Sequence, residues 1–253
     1  MSNPMNYPIP FLLISLFAFL LAGWFGTRLH AKHGAFRDEV RDFFAIILGA
    51  ALALLSLIIA FTFSMAVSRY DQRKNYEEQE ANAIGTEYLR ADQFSPADAA
   101  RIHALLRRYL DQRVAFYKTR DERELLQINL RTAQLQSELW SAASSSAAAL
   151  PAPMAAFVLA GMNDVLNSQG YTQAAWWNRI PVAAWILLIV ISVFCNLLVG
   201  FGSPGKSAFI VLILPIVLSV SLYLMADIDS PRHGIINVKP QNLESLAQSL
   251  QPQ

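Results

Sequence analysis

The run from Phe43 to Ser68, FFAIILGAALALLSLIIAFTFSMAVS, contains no charged side chain. At a helical rise of about 1.5 Å per residue it is long enough to cross a hydrocarbon core of about 30 Å, so it is expected to be a transmembrane helix. The stretch that follows, Arg69 to Asp92 (RYDQRKNYEEQEANAIGTEYLRAD), is charged but has no Pro and no turn cluster, and Gly85 is its one weak helix former. Nothing there obliges the backbone to stop being helical where the lipid ends. One continuous rod is predicted, spanning the bilayer and running on into water.

Three further charge-free segments have spanning length: about Ile9 to Phe25, Ile180 to Phe201 and Ser207 to Ala226. Residues 1–10 carry no Lys or Arg, so the first reads as a retained span rather than a signal peptide. Trp24, Trp176 and Trp177 fall where an interfacial aromatic belt would sit. Spans three and four are joined by GFGSPGK, too short for a domain, which predicts a membrane hairpin; Pro215 implies a kink in the fourth. Only 15% of residues are charged, against about a quarter in soluble domains, which agrees with lipid as a solvent. A net charge of +1 argues against a nucleic-acid binder, which would normally show a basic face. The single cysteine, Cys195, excludes an intramolecular disulfide and sits in a span as an apolar filler.

The expected fold is therefore an all-α membrane protein. Residues 1–68 hold spans one and two, 69–179 a helical extramembrane region, 180–226 the hairpin and 227–253 a polar C-terminal tail. In the middle region, Ser95-Pro96-Ala97-Asp98 sets an N-cap, a first-turn Pro and an acid in order, which starts a helix. Ile102, Leu105, Leu106, Tyr109, Arg113 and Phe116 then recur at three and four, as one face of that helix. A second helix is expected over Asp121 to Trp140. The low-complexity run Ser141 to Pro153, SAASSSAAALPAP, reads as a flexible linker, followed by a shorter helix over Met154 to Asn167.

No catalytic constellation emerges, and neither an enzyme nor a cofactor is expected. His30 and His33 have a spacing that reaches one metal, but no Cys or acid stands at a matching distance, so they read as solvated loop residues. GFGSPGK joins two spans with no preceding strand and is not a phosphate loop. The spans contain neither an acid nor a base and show no inverted repeat, which leaves a secondary transporter without support.

On the second span, Ser56, Ala60 and Ser64 form a small-residue row suited to close helix approach. Beside it, Ala53, Leu57, Phe61 and Met65 lie four apart, and the same spacing continues to Arg69 and Arg73. With several copies around an axis and that row inward, these residues would line a pore: a dry constriction followed by rings of arginine, the pattern of an anion pore gated by dewetting. The competing reading is lipid contact, with the arginines as headgroup anchors. Further on, Ala81, Ile84 and Tyr88 share a helical face, the packing side, while the acids Glu77, Glu78, Glu80, Glu87 and Asp92 read as a salt-bridged or solvated face rather than a cation site. Basic residues do not decide orientation: Arg28, Lys32, Arg37 and Arg41 on one side face Arg69, Arg73, Lys74, Arg179, Arg232 and Lys239 on the other.

The run from Phe61 to Asp92, then LLRRYLDQRVAFY, Asn178-Arg179-Ile180-Pro181 and LMADIDSPRHGIINV, resembles the bacterial membrane family known by its bestrophin-like domain. The most specific block is Glu80-Ala81-Asn82-Ala83-Ile84-Gly85-Thr86. A looser likeness links the family to bestrophins, pentameric anion channels with a pore-lining second span and a cytosolic helical region. The resemblance implies a homo-oligomer in the inner membrane, with the middle region and both termini cytoplasmic and small anions as the permeant species. Bulky neck residues precede an Arg-aromatic pair in bestrophins; Leu57 and Phe61 precede Arg69-Tyr70 in that manner, whereas Ala53 is smaller than the pattern expects. The acidic calcium clasp of animal bestrophins has no counterpart, since Asp227 and Asp229 are too few and stand beside Arg232. The alternative function is a non-conducting membrane scaffold or sensor that binds a protein partner through an exposed Ala81, Ile84 and Tyr88 face.

Overall fold

The computed structural model describes residues 7–33, 38–203 and 208–251, and among them there is no strand. The helices are α1 (Pro8–His33), α2 (Asp38–Arg90), a 3-10 turn (Ala91–Gln93), α3 (Pro96–Lys118), α4 (Glu122–Ala147), α5 (Ala152–Trp177), α6 (Val182–Phe201), α7 (Ala208–Asp229) and α8 (Gln241–Ser249). Among the described residues, four helices are long and apolar enough to cross a membrane. The rod is continuous: α2 has 53 residues and a length of about 80 Å at helical rise. Arg37 and the Pro204–Lys206 part of the interspan turn lie outside the described residues, as does the side chain of His33.

The chain divides into two compact units, residues 1–69 with 179–237, and residues 70–178 with 238–253. In the first unit α1 is the main partner of both α6 and α7, which touch each other much less. Glycines bring α1 and α6 together. A Cβ on Gly200 would stand 2.0 Å from the Gly23 carbonyl oxygen, and one on Gly26 would stand 2.2 Å from that of Leu197. Such backbone approach is how helices associate where lipid removes the hydrophobic driving force. At the other end of the same pair Trp185 is buried, with Phe11 edge-on at 5.6 Å.

The second unit packs its helices around an apolar core. Ser95 caps α3 by accepting the Asp98 N–H, and Asp121 caps α4 by accepting those of Arg123 and Glu124. The whole α3 face from Ile102 to Phe116 is buried, Arg113 included. Three expectations need correction. The Ser141–Pro153 linker does not exist as such: α4 continues to Ala147 and α5 begins at Ala152, because Ala is the best helix former and Ala142, Ala143 and Ala147 extend the buried stripe of Ile128, Leu135 and Leu139. The helix expected over Met154 to Asn167 runs on to Trp177. The residue 227–253 tail is not one piece either. Residues up to 237 belong to the first unit, while Val238 and Leu243 are buried in the second, where α8 docks.

Candidate functional site

Helix α2 carries the candidate site, and its two faces differ. Ala53, Leu57, Phe61 and Met65 are all exposed, Leu57 by 53% and Phe61 by 65%. Only 6% of the most apolar window of α2 is buried, against 33% for α1 and 44% for α7. Leu55, Thr62 and Ala66 form the buried stripe of its membrane half.

Arg69 and Arg73 do not continue the exposed row. A step of four residues overshoots a full turn by about 40°, so Arg69 is rotated about 120° and Arg73 about 160° from Leu57. Arg73 is 1% exposed, and its Nε donates to the Ala175 carbonyl at 3.3 Å. Arg69 is also turned inward, 3.9 Å from the Asp229 carboxylate. The face that does hold the Leu57 direction passes through Phe61, Ser64, Ser68, Asn75, Asn82 and Thr86, all exposed. Arg69 and Arg73 are therefore not on that face of the helix. Hydroxyls and amides follow the apolar stretch instead, together with the exposed carboxylate of Asp71, which is as far off that line as Phe61.

The buried face of α2 in the second unit holds acids at Glu77, Glu80 and Glu87, in phase with Ala81, Ile84 and Ala91. Glu80 pairs with Arg113 of α3, both fully buried, and accepts from Thr172 at 3.1 Å and Tyr117 at 3.4 Å. Burial alone would lower the Arg113 pKa, but the adjacent Glu80 reverses this and the net shift is upward. Burial, reinforced by Glu80, raises both Tyr109 and Tyr117. Glu77 accepts the N–H groups of Asn242 and Leu243 and the Asn242 amide, fastening the start of α8. Glu87 is 0% exposed, and neither of its oxygens has a hydrogen-bond partner.

The Glu80–Thr86 block thus serves packing at most positions. Ala81 and Ile84 are core, Ala83 packs against it, and Gly85 lets the Leu246 side chain of α8 approach to 3.1 Å of where a Cβ would be. Asn82 and Thr86 stay exposed and line a groove of about 500 Å³ with Asn242, Ser245 and Ser249. Tyr88 is half-buried and stacks on His103 at 3.9 Å. The Ala81, Ile84 and Tyr88 face expected to receive a partner is therefore occupied by the unit's own helices.

In the first unit the exit of α7 is also a polar cluster. Asp229 accepts the Ile180 N–H at 3.2 Å and lies 3.9 Å from Arg179 as well as from Arg69. Asp227 accepts the N–H groups of Ile235 and Ile236 at 2.7 and 2.8 Å, and Gly234 permits the tight return. These acids shape backbone. The in-phase recurrence of Glu77, Glu80 and Glu87 with small apolar residues was the available sign of buried acids on α2; Thr172 and Asn242 gave none.

A family model for the bestrophin-like domain matches residues 12–243. No curated protein matches the chain. Among solved structures, a crystal structure of a bacterial bestrophin homologue from Klebsiella pneumoniae shares 14% identity with a TM-score of 0.67, covering 96% of this chain and 95% of that one. A point variant of the homologue gives 12% identity and a TM-score of 0.68, covering 96% and 97%. A crystal structure described as a membrane protein gives 13% and 0.68 at the same coverage. At such identities the likeness shows the fold. With the family model spanning nearly the whole sequence, the chain belongs to the bestrophin-like domain family of membrane proteins.

Proposed function

We propose that several copies of the chain assemble around a common axis, five by analogy with bestrophins, and conduct small anions between their α2 helices. The observation that carries this reading is the exposed face of α2: a spanning helix almost bare of partners, with Leu57 and Phe61 outward and a hydroxyl- and amide-bearing continuation beyond them. A ring of Leu57 and Phe61 would form an apolar constriction that sheds water and passes ions able to lose hydration. With the Phe61 ring edge-on to the axis, its positive edge would favour an anion there over a cation. Ser64, Ser68 and Asn75 offer N–H and O–H donors beyond it, with the Asp71 carboxylate at the margin of the same face. Ala53 is too small to add a third tight ring, and Met65 sits at the margin of the face. Family likeness supports an inner-membrane location, with the middle region and both termini in the cytoplasm.

Purified protein in lipid vesicles with a chloride gradient tests this. Chloride flux above that of empty vesicles is expected, with a several-fold rise in Phe61→Ala as the apolar barrier falls. Absence of flux, or flux indifferent to Phe61→Ala, contradicts it.

A further inference from the structure

Glu87 differs from the other buried acids of α2. Glu77 and Glu80 each receive three or more hydrogen bonds, whereas both Glu87 oxygens are without one although the residue is fully buried. Arg90, one turn on, is 3.9 Å away, beyond hydrogen-bond reach, and its guanidinium is drawn over the Phe157 ring of α5 at 4.3 Å. The carboxyl and the guanidinium fill a notch in α5 made by Gly161: a Cβ there would lie 2.0 Å from Glu87 Oε2 and 2.1 Å from Arg90 Nη1. The charged groups acting on Glu87 are Arg90 from its own helix and Asp164 from α5. On the next flank of α2, His103 of α3 stacks on Tyr88 and reaches Asp92 at 3.4 Å.

A carboxyl with no exposed surface, seated against the α5 backbone at Gly161 and without a hydrogen-bond donor, is held there in its neutral form. Its pKa is raised from 4.5 to about 8, by burial first and by Asp164, against the opposing pull of Arg90. We propose that Glu87 is a proton-controlled latch between α2 and α5: protonated, it seats α5 through the Gly161 notch, and loss of its proton favours an opened arrangement in which water reaches the carboxylate. The inference concerns the second unit alone and does not depend on conduction.

The sign and range follow from linkage. In the opened arrangement the solvated carboxyl titrates at its ordinary 4.5, while in the closed one it holds its proton up to about 8. Between those values opening releases a proton, so the opening constant rises about tenfold per pH unit, and above the upper value it levels off. Hydrogen exchange of the full chain in mild detergent, corrected for the intrinsic pH dependence of amide exchange, reads this directly. Amides of residues 154–168 are expected to lose protection about tenfold per unit from pH 6 to 8 and then to plateau. Glu87→Gln is expected to stay protected and pH-independent. Asp164→Asn, at an exposed position, is expected to keep the transition but plateau at lower pH. A pH-dependent loss that survives Glu87→Gln, or wild-type protection that is flat across this range, overturns the latch.

Discussion

Glu77 Oε1 accepts the backbone N–H of Leu243 at 3.0 Å, from a helix 166 residues earlier in the chain. The same oxygen accepts the Asn242 N–H at 2.9 Å, so one carboxylate meets the positive end of the α8 dipole and two of its unpaired donors. Removing it in Glu77→Ala is expected to cost about 1–2 kcal/mol, confined to α8 docking. Hydrogen exchange over residues 241–249 checks this: those amides lose protection about tenfold or more while α3 is unchanged.

The Glu80–Arg113 pair makes a different prediction because both partners are fully buried. Arg113→Met strands a carboxylate in the core and is expected to cost about 3–5 kcal/mol. Adding Glu80→Met removes the stranded charge and should recover much of that loss. Thermal unfolding in detergent of the two single variants and the double variant measures the recovery.

Tyr109 and Tyr117, raised by burial and by Glu80, stay neutral where exposed tyrosines ionise, near about 10. The unfolded chain ionises them first, so stability present below that pH is lost as pH rises past it. Spectrophotometric titration should find these two of the eight tyrosines ionising only with unfolding.

Two glycines separate close approach from simple tolerance. Gly200→Ala pushes a methyl to 2.0 Å of the Gly23 backbone and is expected to cost about 1–3 kcal/mol or more. Gly170 in α5 has open space around it, and Gly170→Ala should stabilise by about 0.5–1 kcal/mol. Melting temperatures of the two variants in the same detergent provide the comparison.

Long-range order in this sequence was legible where physical chemistry is one-dimensional. A charge-free run long enough to span, the unbroken exit of α2 and the Ser95-Pro96 cap each depend on neighbours a few residues away, and α2 and α3 follow them. Tertiary choices were not legible. Ser141–Pro153 looked like a linker because serine and alanine carry little pattern, yet Ala142, Ala143 and Ala147 are the small face that lets α4 pack. The pairing of α1 with α6 rests on Gly23, Gly26 and Gly200, which have no side chain to signal it. At the candidate site, Leu57 and Phe61 are exposed on the single chain, while Arg73 is buried. Four-residue spacing followed over sixteen residues winds about halfway round a helix, so it identifies neighbours and not a face.

The most direct measurement is block of ionic current by a thiol-reactive cation or anion applied to cysteines placed on either side of α2, in a Cys195→Ser background. Phe61→Cys, on the exposed face, should be modified and its current lost, while Leu55→Cys, 2% exposed in the wild type, should be unaffected. Current that persists after Phe61→Cys is modified, or block through Leu55→Cys instead, would contradict a pore on this face of the helix.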